Sequence, residues 1–345
     1  MTQPTATSRL RAYFEFIAAI VYFFLARSVA HHSATGLASD ALEPLLEQAM
    51  LVFLLFLGYA AFGIAFDRQK RPMREQGFPP RKGWPTEVGT GLALGWGVAV
   101  ACVLAMALVG GVAIALTLHA SAFAWLVADV GFFFFATLAE EMAFRGYGFQ
   151  RFEQSVGPVA ATLGFAAFYA VVQAMQPGAS HASIAVSLVF GLVLSIAYLR
   201  TRALWMSWGM NFGWKASRAL LFGLTVAGVN NHSPILEGDP MGPFWLTGGG
   251  YGLDASWFAF LLLLLAIPVL YRVTRELDFA HNAPVLVPGG IPVDIDAAAR
   301  QQHETAMGAA QTTAAPSLVQ IAPAISPAPA DPASAPAPDK PAGFA

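Results

Sequence analysis

The amino-acid sequence predicts an all-α fold, a polytopic transmembrane helix bundle of about eight helices, with a disordered C-terminal tail. Three observations support this class: 56% of the 345 residues are hydrophobic, only 12% are charged, and the mean hydropathy is +0.56. An ordinary soluble domain carries about 25% charged residues. The chain therefore has too few charged side chains to cover a surface that faces water, which argues against a soluble enzyme.

The predicted spans are apolar runs long enough for a helix to cross the hydrocarbon core, which takes about 20 residues. Eight runs fit, although several are short or contain polar residues: 10–25, 49–66, 87–118, 123–152, 159–173, 184–199, 204–225 and 257–271. They predict a transmembrane domain over residues 1–278. Residues 279–345 are predicted to form an Ala/Pro-rich disordered tail, because 8 Pro and 11 Ala between positions 311 and 345 provide little apolar surface for a core.

Basic residues predict the orientation of these spans. If the N-terminus is cytoplasmic, the Lys and Arg residues at 68–82, 145–151, 200–202 and 272–275 all lie on the inner side, whereas 226–256 contains none. By the positive-inside rule, the protein is expected in the cytoplasmic (inner) membrane with both termini in the cytoplasm. The basic stretch 68–82 either contacts anionic lipid headgroups or only enforces this topology.

Charge and cysteine content exclude other classes of protein. A net charge of −2 is unsuited to nucleic-acid binding, so the expected partners are the lipid bilayer and a membrane-associated peptide or protein. The single cysteine, Cys102, lies in an apolar run, so neither an intrachain disulfide nor a thiolate metal site is expected.

Charged residues in the fourth predicted span are the strongest candidates for a functional site, because an ionisable side chain at membrane depth costs about 2.5–3.5 kcal/mol. Glu140 and Glu141 are adjacent and point about 100° apart on a helix. Arg145 lies four residues after Glu141, so the two are predicted to form an ion pair on one helix face. Glu140 is left to act as a general base. The alternative is a buried structural ion network.

Three further polar residues lie in other predicted spans. Gln173 ends the fifth span, and Asn211 and Lys215 are four residues apart on one face of the seventh. Individually, Gln173 fits a helix cap and Asn211 fits an interhelical hydrogen bond. At a rise of about 1.5 Å per residue, however, these residues and Glu140 lie within about two helical turns of the same depth, which predicts one shared polar cavity.

These motifs resemble those of the CAAX-processing and bacteriocin-processing (CPBP, or Abi) membrane endopeptidases. The Glu-Glu-x-x-x-Arg motif of that family is matched by Glu140, Glu141 and Arg145, and its Arg-Thr-x-x-Leu-Trp landmark resembles the stretch 200–205. The resemblance covers about residues 131–215. It implies a bundle of about eight helices with an active site inside the membrane, where the first glutamate activates a water molecule to hydrolyse a peptide bond.

The sequence departs from the family at both histidine motifs. Alignment puts Gln173 at the first motif histidine, Asn211 at the second, and Lys215 at the motif asparagine. The chain's own histidines fall outside these motifs: His31, His32, His119, His181, His232, His281 and His303. The resemblance implies that Glu140 is the base, that Gln173 orients the water, and that Asn211 and Lys215 stabilise the oxyanion. Amides are poor zinc ligands, so neither a metal nor another cofactor is expected.

Three functional hypotheses follow. The first is a glutamic-type intramembrane endopeptidase, with activity weakened by the loss of imidazole proton transfer. The second is a non-catalytic relative, a scaffold or immunity protein that binds a peptide or a partner helix. The third is a small transporter, which is weaker because no matching pair of interrupted helices is visible in the two halves of the chain.

Overall fold

A computed structural model describes residues 6–79, 81–116 and 123–275. The helices are α1 (Ala6–Leu37), α2 (Glu43–Ala65), α3 (Pro72–Glu75), α4 (Trp84–Leu108), α5 (Phe123–Arg145), α6 (Tyr147–Val156), α7 (Pro158–Ala174), α8 (His181–Thr201), α9 (Leu204–Ala216), α10 (Phe244–Thr247) and α11 (Trp257–Val273), and the strands are β1 (Val112–Leu116) and β2 (Leu236–Pro240). The predicted fold class, a transmembrane helix bundle, is confirmed. The predicted tail, residues 279–345, lies outside the described residues.

Helix length agrees with most of the predicted spans. Among the described residues, five helical stretches are long and apolar enough to cross a bilayer: Ser8–Leu37, Glu43–Ala65, Trp84–Leu108, Phe123–Val156 and His181–Thr201. Helices α7 and α11 are apolar but have 17 residues each. Helix α9 has only 13 residues. At about 1.5 Å per residue it is about 20 Å long, which is shorter than a bilayer core of about 30 Å.

The third predicted span, 87–118, was too long. Helix α4 ends at Leu108, and the chain turns at Gly110, whose φ of 67° is left-handed. The residues that follow form β1, which pairs antiparallel with β2 and sets Ile114 opposite Gly238. The physical reason is the Gly110–Gly111 pair, because glycine adopts the backbone conformation that stops a helix. A small two-stranded sheet therefore accompanies the helices.

The fourth and seventh predicted spans are also interrupted. The fourth is divided into α5 and α6 at Gly146, where a side chain would collide with the carbonyl group of Met142. The seventh, 204–225, is α-helical only as α9 and continues as one π-helical turn, Ser217–Leu221. Both interruptions lie next to the charged residues of these spans.

Helices α4 and α9 cross at a contact between backbones. Gly91 and Gly95 of α4 face the carbonyl groups of Met206 and Met210, and a Cβ atom at either glycine would collide with them. Gly209 and Gly213 of α9 face α4 in the same way. Glycines spaced by four residues allow two membrane helices to approach closely. This crossing sets the position of α9, the helix that carries Asn211 and Lys215.

We expect Gly95→Ala to destabilise the protein by about 1–3 kcal/mol, because the added methyl group forces α4 and α9 apart. Gly97→Ala is the matched control, since a Cβ atom there meets no atom within 4 Å. Unfolding by sodium dodecyl sulfate in mixed micelles measures both variants. If both substitutions lowered the free energy of unfolding equally, the close crossing of α4 and α9 would make no specific contribution to stability.

Candidate active site

The two adjacent glutamates near the end of α5 have different surroundings. The side chain of Glu141 is fully buried, whereas that of Glu140 keeps 28% of its surface exposed. The difference follows from the helix, which turns successive side chains by about 100°. Glu141 faces the bundle interior, and Glu140 faces a cavity.

Glu141 forms the predicted ion pair with Arg145. Arg145 Nη1 lies 3.2 Å from Glu141 Oε1, and both side chains are fully buried. Arg145 also donates a hydrogen bond of 3.1 Å to the backbone carbonyl of Gly191 in α8. Its guanidinium carbon lies 5.6 Å from the centre of the Tyr169 ring of α7. The predicted pair on one helix face is confirmed, and it connects α5 with α7 and α8.

Helix α9 places two nitrogen donors on these carboxylates. Lys215 Nζ lies 2.5 Å from Glu140 Oε1 and 2.7 Å from Glu140 Oε2. Asn211 Nδ2 donates to Glu140 Oε2 at 3.0 Å and to Glu141 Oε1 at 2.9 Å. Asn211 and Lys215 are one helical turn apart and therefore reach the same point. Five of the six residues predicted from the sequence thus form one connected polar cluster.

Gln173 is the sixth predicted residue, and it makes no such contact. Its side chain is half-buried near the end of α7 and has no hydrogen bond to any of the described residues. The residue of α7 that approaches the cluster is Tyr169, one turn earlier, through its contact with Arg145. A role for Gln173 in orienting water stays a prediction.

A cavity of about 530 Å³ leads to Glu140 and Lys215. Its wall includes aromatic side chains of α5, among them Trp125, Phe132 and Phe133. Its volume lies within the range of about 300–1,000 Å³ that is usual for small-ligand sites. The exposed part of the Glu140 carboxylate is therefore accessible through a mostly apolar passage.

A second buried ion pair supports the end of α9, and sequence reasoning did not find it. Arg218 Nη1 lies 3.0 Å from Asp254 Oδ2, and Trp214 Nε1 donates to Asp254 Oδ1 at 3.2 Å. Burial by itself would raise the pKa of the Asp254 carboxyl, but the charges of Arg218 and Lys215 and the hydrogen bonds hold this pKa below its usual value. Arg218 is visible in the sequence, but no local pattern indicates a partner 36 residues away.

The chemistry of the cluster does not fit a catalytic zinc ion. Zinc is bound by thiolate, imidazole or carboxylate groups. Here both carboxylates are already paired with a cation, and the remaining groups are an amide, an ammonium and a guanidinium. Away from this site, His31 of α1 and Glu43 and Glu47 of α2 place their possible ligand atoms within 4.8 Å of one another.

The fold and the site together define an integral membrane protein with a charged, partly enclosed cluster between its helices. The family model described as type II CAAX prenyl endopeptidase Rce1-like matches residues 120–217, a segment that contains all six predicted site residues. Over this segment the match supports the resemblance to the CPBP (CAAX protease) family that the motifs predicted. The search of curated proteins found no significant match, and neither did the search of solved structures.

Proposed function

We propose that the protein is a glutamic-type intramembrane endopeptidase in which Glu140 activates a water molecule for hydrolysis of a peptide bond. The observation that carries this proposal is the position of Glu140 in the cavity lining beside Lys215, whose Nζ lies within 2.7 Å of both carboxylate oxygens, with Asn211 Nδ2 at 3.0 Å behind it. A base and a charged donor at one accessible point are groups that acyl transfer to water uses.

The proposed reaction is the addition of water to a peptide carbonyl group. The water held by Glu140 gives a proton to that carboxylate while its oxygen bonds to the carbonyl carbon, and the carbonyl π electrons move to the carbonyl oxygen. Lys215 stabilises the oxyanion. Both N–H groups of the Asn211 amide already donate to the two carboxylates, so Asn211 orients Glu140 instead. Breakage of the C–N bond then releases the amine, which receives the proton from Glu140. A lysine ammonium has three N–H donors, so Lys215 retains one for the oxyanion while it contacts both Glu140 oxygens.

Glu141 and Arg145 are proposed to position the cluster rather than to contact the substrate. Both are fully buried, and Glu141 accepts a hydrogen bond from the Asn211 amide, which also contacts Glu140. This arrangement fixes the orientation of Asn211. The Oδ1 atom of Asn211 is buried and has no hydrogen-bond partner among the described residues.

The proposal is tested by mass spectrometry of peptide cleavage by the purified protein and by its Lys215→Gln variant. We expect kcat for a cleaved peptide to fall by about 10²–10³-fold with a small change in KM, because one charged donor to the oxyanion is removed. Chelators are expected to have no effect. Wild-type protein that cleaves nothing in a broad peptide screen would contradict the proposed activity, and an unchanged kcat in the variant would contradict the role of Lys215.

A non-catalytic function is the second candidate, and one observation favours it. Both oxygens of Glu140 are occupied by Lys215 at 2.5 and 2.7 Å, so the carboxylate is engaged in an ion pair rather than free to bind an attacking water. Such a protein would keep the cavity for binding a peptide or a partner helix, as a scaffold or immunity protein. The two candidates differ in the cell: Glu140→Gln would leave the phenotype of a binding protein intact, whereas it would abolish that of an enzyme.

We further propose that the protein lies in the cytoplasmic membrane with both termini inside. The support is the distribution of basic residues: the connection between α2 and α4 is rich in Lys and Arg, whereas residues 28–67 and 226–256 contain none. The cavity lining includes Asp40 and Ala41 of the connection between α1 and α2, which this orientation places on the outer side.

A further inference from the structure

The cavity that leads to Glu140 has a carboxylate-bearing mouth. Its lining includes Asp40, from the connection between α1 and α2, and Asp129 in the first half of α5, and we call this end the mouth. The lining also includes Glu140, further along α5, and Lys215 of α9, and we call that end the inner end. The segment 226–233 contributes His232 to the same wall. The catalytic mechanism proposed above uses none of these three mouth residues, so their charge pattern is open to a separate explanation.

The two aspartates are only partly neutralised by their surroundings. Asp129 Oδ2 accepts a hydrogen bond of 2.7 Å from the backbone N–H of Ser233, and Asp129 Oδ1 lies 3.5 Å from His232 Nδ1. Its side chain keeps 21% of its surface exposed. Asp40 is exposed and forms no ion pair or side-chain hydrogen bond with any residue that the structure describes. Both carboxylates therefore face the cavity mouth with capacity to bind a donor.

Positive charge is scarce on this side of the molecule. Among the described residues that line the cavity, Lys215 is the only lysine or arginine, and both Glu140 oxygens already bind it. No Lys or Arg occurs in residues 28–67, 83–144 or 226–256, which supply the rest of the lining. Two carboxylates would therefore attract a positively charged ligand at the mouth. The lysine of the described lining, Lys215, is already bound to Glu140.

The length of the cavity sets the spacing between the charge and the reacting bond. Asp129 precedes Glu140 by 11 residues on α5. At about 1.5 Å per residue this separation is about 16 Å along the helix. An extended peptide rises about 3.3 Å per residue, so about five residues cover the distance. Phe132 and Phe133 of the wall lie between Asp129 and Glu140 on α5 and favour apolar residues over that length.

We propose that the cavity binds an extended peptide segment that is apolar next to the inner end and carries a cationic group about five residues away, held by Asp40 and Asp129. The cationic group is a Lys or Arg side chain or a free amino terminus. The statement that the bond at the inner end is cleaved rests on the proposed endopeptidase function, whereas the preference for a cation at the mouth rests on the charges of the cavity alone.

The test compares blocked ten-residue apolar peptides that end in Lys at both termini, in Glu at both termini, or in Gln at both termini. Acetylation and amidation remove the terminal charges, and the symmetric design allows the chain to enter in either direction. Binding of fluorescent versions is measured with the purified full-length protein in detergent micelles containing EDTA, which keeps divalent cations away from the nearby His31, Glu43 and Glu47.

We expect the Lys peptide to bind about tenfold more tightly than the Glu peptide, as two partly exposed ion pairs allow. In the Asp40→Asn/Asp129→Asn double variant this ratio should fall close to one. The matched control is Glu237→Gln/Asp239→Asn, which removes two exposed charges from β2, outside the cavity lining, and should retain the ratio. Equal binding of the three peptides, or a preference that survives in the mouth variant, overturns the proposal.

Cleavage of the same peptides separates this proposal from the proposed function. Tight binding of the Lys peptide without cleavage supports the cationic mouth and contradicts the endopeptidase. Cleavage of all three peptides with equal binding contradicts the cationic mouth and supports the endopeptidase. Binding of the Lys peptide to micelles without protein is measured as a blank and subtracted. The comparison then depends only on binding to the protein.

Discussion

Glu140→Gln is expected to abolish peptide hydrolysis while the protein still folds. Glutamine has nearly the same shape as glutamate but cannot accept the proton of the attacking water, and the contribution of a general base is about 10²–10⁴-fold in rate. The side chain keeps 28% of its surface exposed, so loss of its charge leaves less of a stability penalty than at a fully buried site. Initial rates of cleavage under saturating peptide provide the measurement.

Glu237→Gln is the matched control for this substitution. It makes the same chemical change at an exposed position of β2 and should retain full activity. Elution volume in size-exclusion chromatography and the unfolding midpoint report whether each variant is folded. If the folded Glu140→Gln variant cleaved peptides at the wild-type rate, a group other than the Glu140 carboxylate would be the general base.

Arg145→Met should have the largest effect on stability, about 3–5 kcal/mol. The Arg145 and Glu141 side chains are both fully buried and 3.2 Å apart, so removal of the arginine leaves a carboxylate without its counter-charge inside the bundle. The backbone carbonyl of Gly191 also loses its hydrogen bond from Arg145, which adds to the loss of stability. Unfolding in mixed micelles measures the change in the free energy of unfolding.

Two controls test whether the loss of stability comes from breaking the buried ion pair or from removing any arginine. Arg202→Met removes an arginine from a more exposed pair with Glu153, where the arginine side chain is 42% exposed, and should cost about 1 kcal/mol or less. The double variant Glu141→Gln/Arg145→Met removes both buried charges and should recover part of the loss. A double variant less stable than Arg145→Met would mean that the uncompensated charge of Glu141 is not the cause.

The sequence predicted the class of fold and most of the spans, because both depend on local composition. An apolar run predicts a membrane helix wherever it folds, so α1, α2, α4, α5 and α8 correspond to five predicted spans. Two of the errors occurred where glycines end or interrupt a helix. Gly110 ends the third span early, and Gly146 divides the fourth. Both glycines are visible in the sequence, but their effect depends on backbone angles and on neighbouring carbonyl groups.

The candidate site was predicted in part for the same reason. The ion pair of Glu141 with Arg145 follows from a spacing of four residues on one helix, which periodicity alone reveals. The supporting pair of Arg218 with Asp254 was not predicted, because its members lie on separate elements. Gln173 was assigned by alignment with a family motif, and its side chain forms no hydrogen bond with the other five residues.

By itself, the sequence determined that the chain is a membrane-embedded bundle with two glutamates and an arginine in one of its spans, since hydropathy and helical spacing are properties of neighbouring residues. Only the tertiary structure decided that Lys215 contacts Glu140, that Asn211 joins both carboxylates, and that carboxylates occur at the mouth of the same cavity. The contacts of α9 with the carboxylates join residues 70 or more positions apart, and they depend on how closely the glycines allow α9 to approach its neighbour.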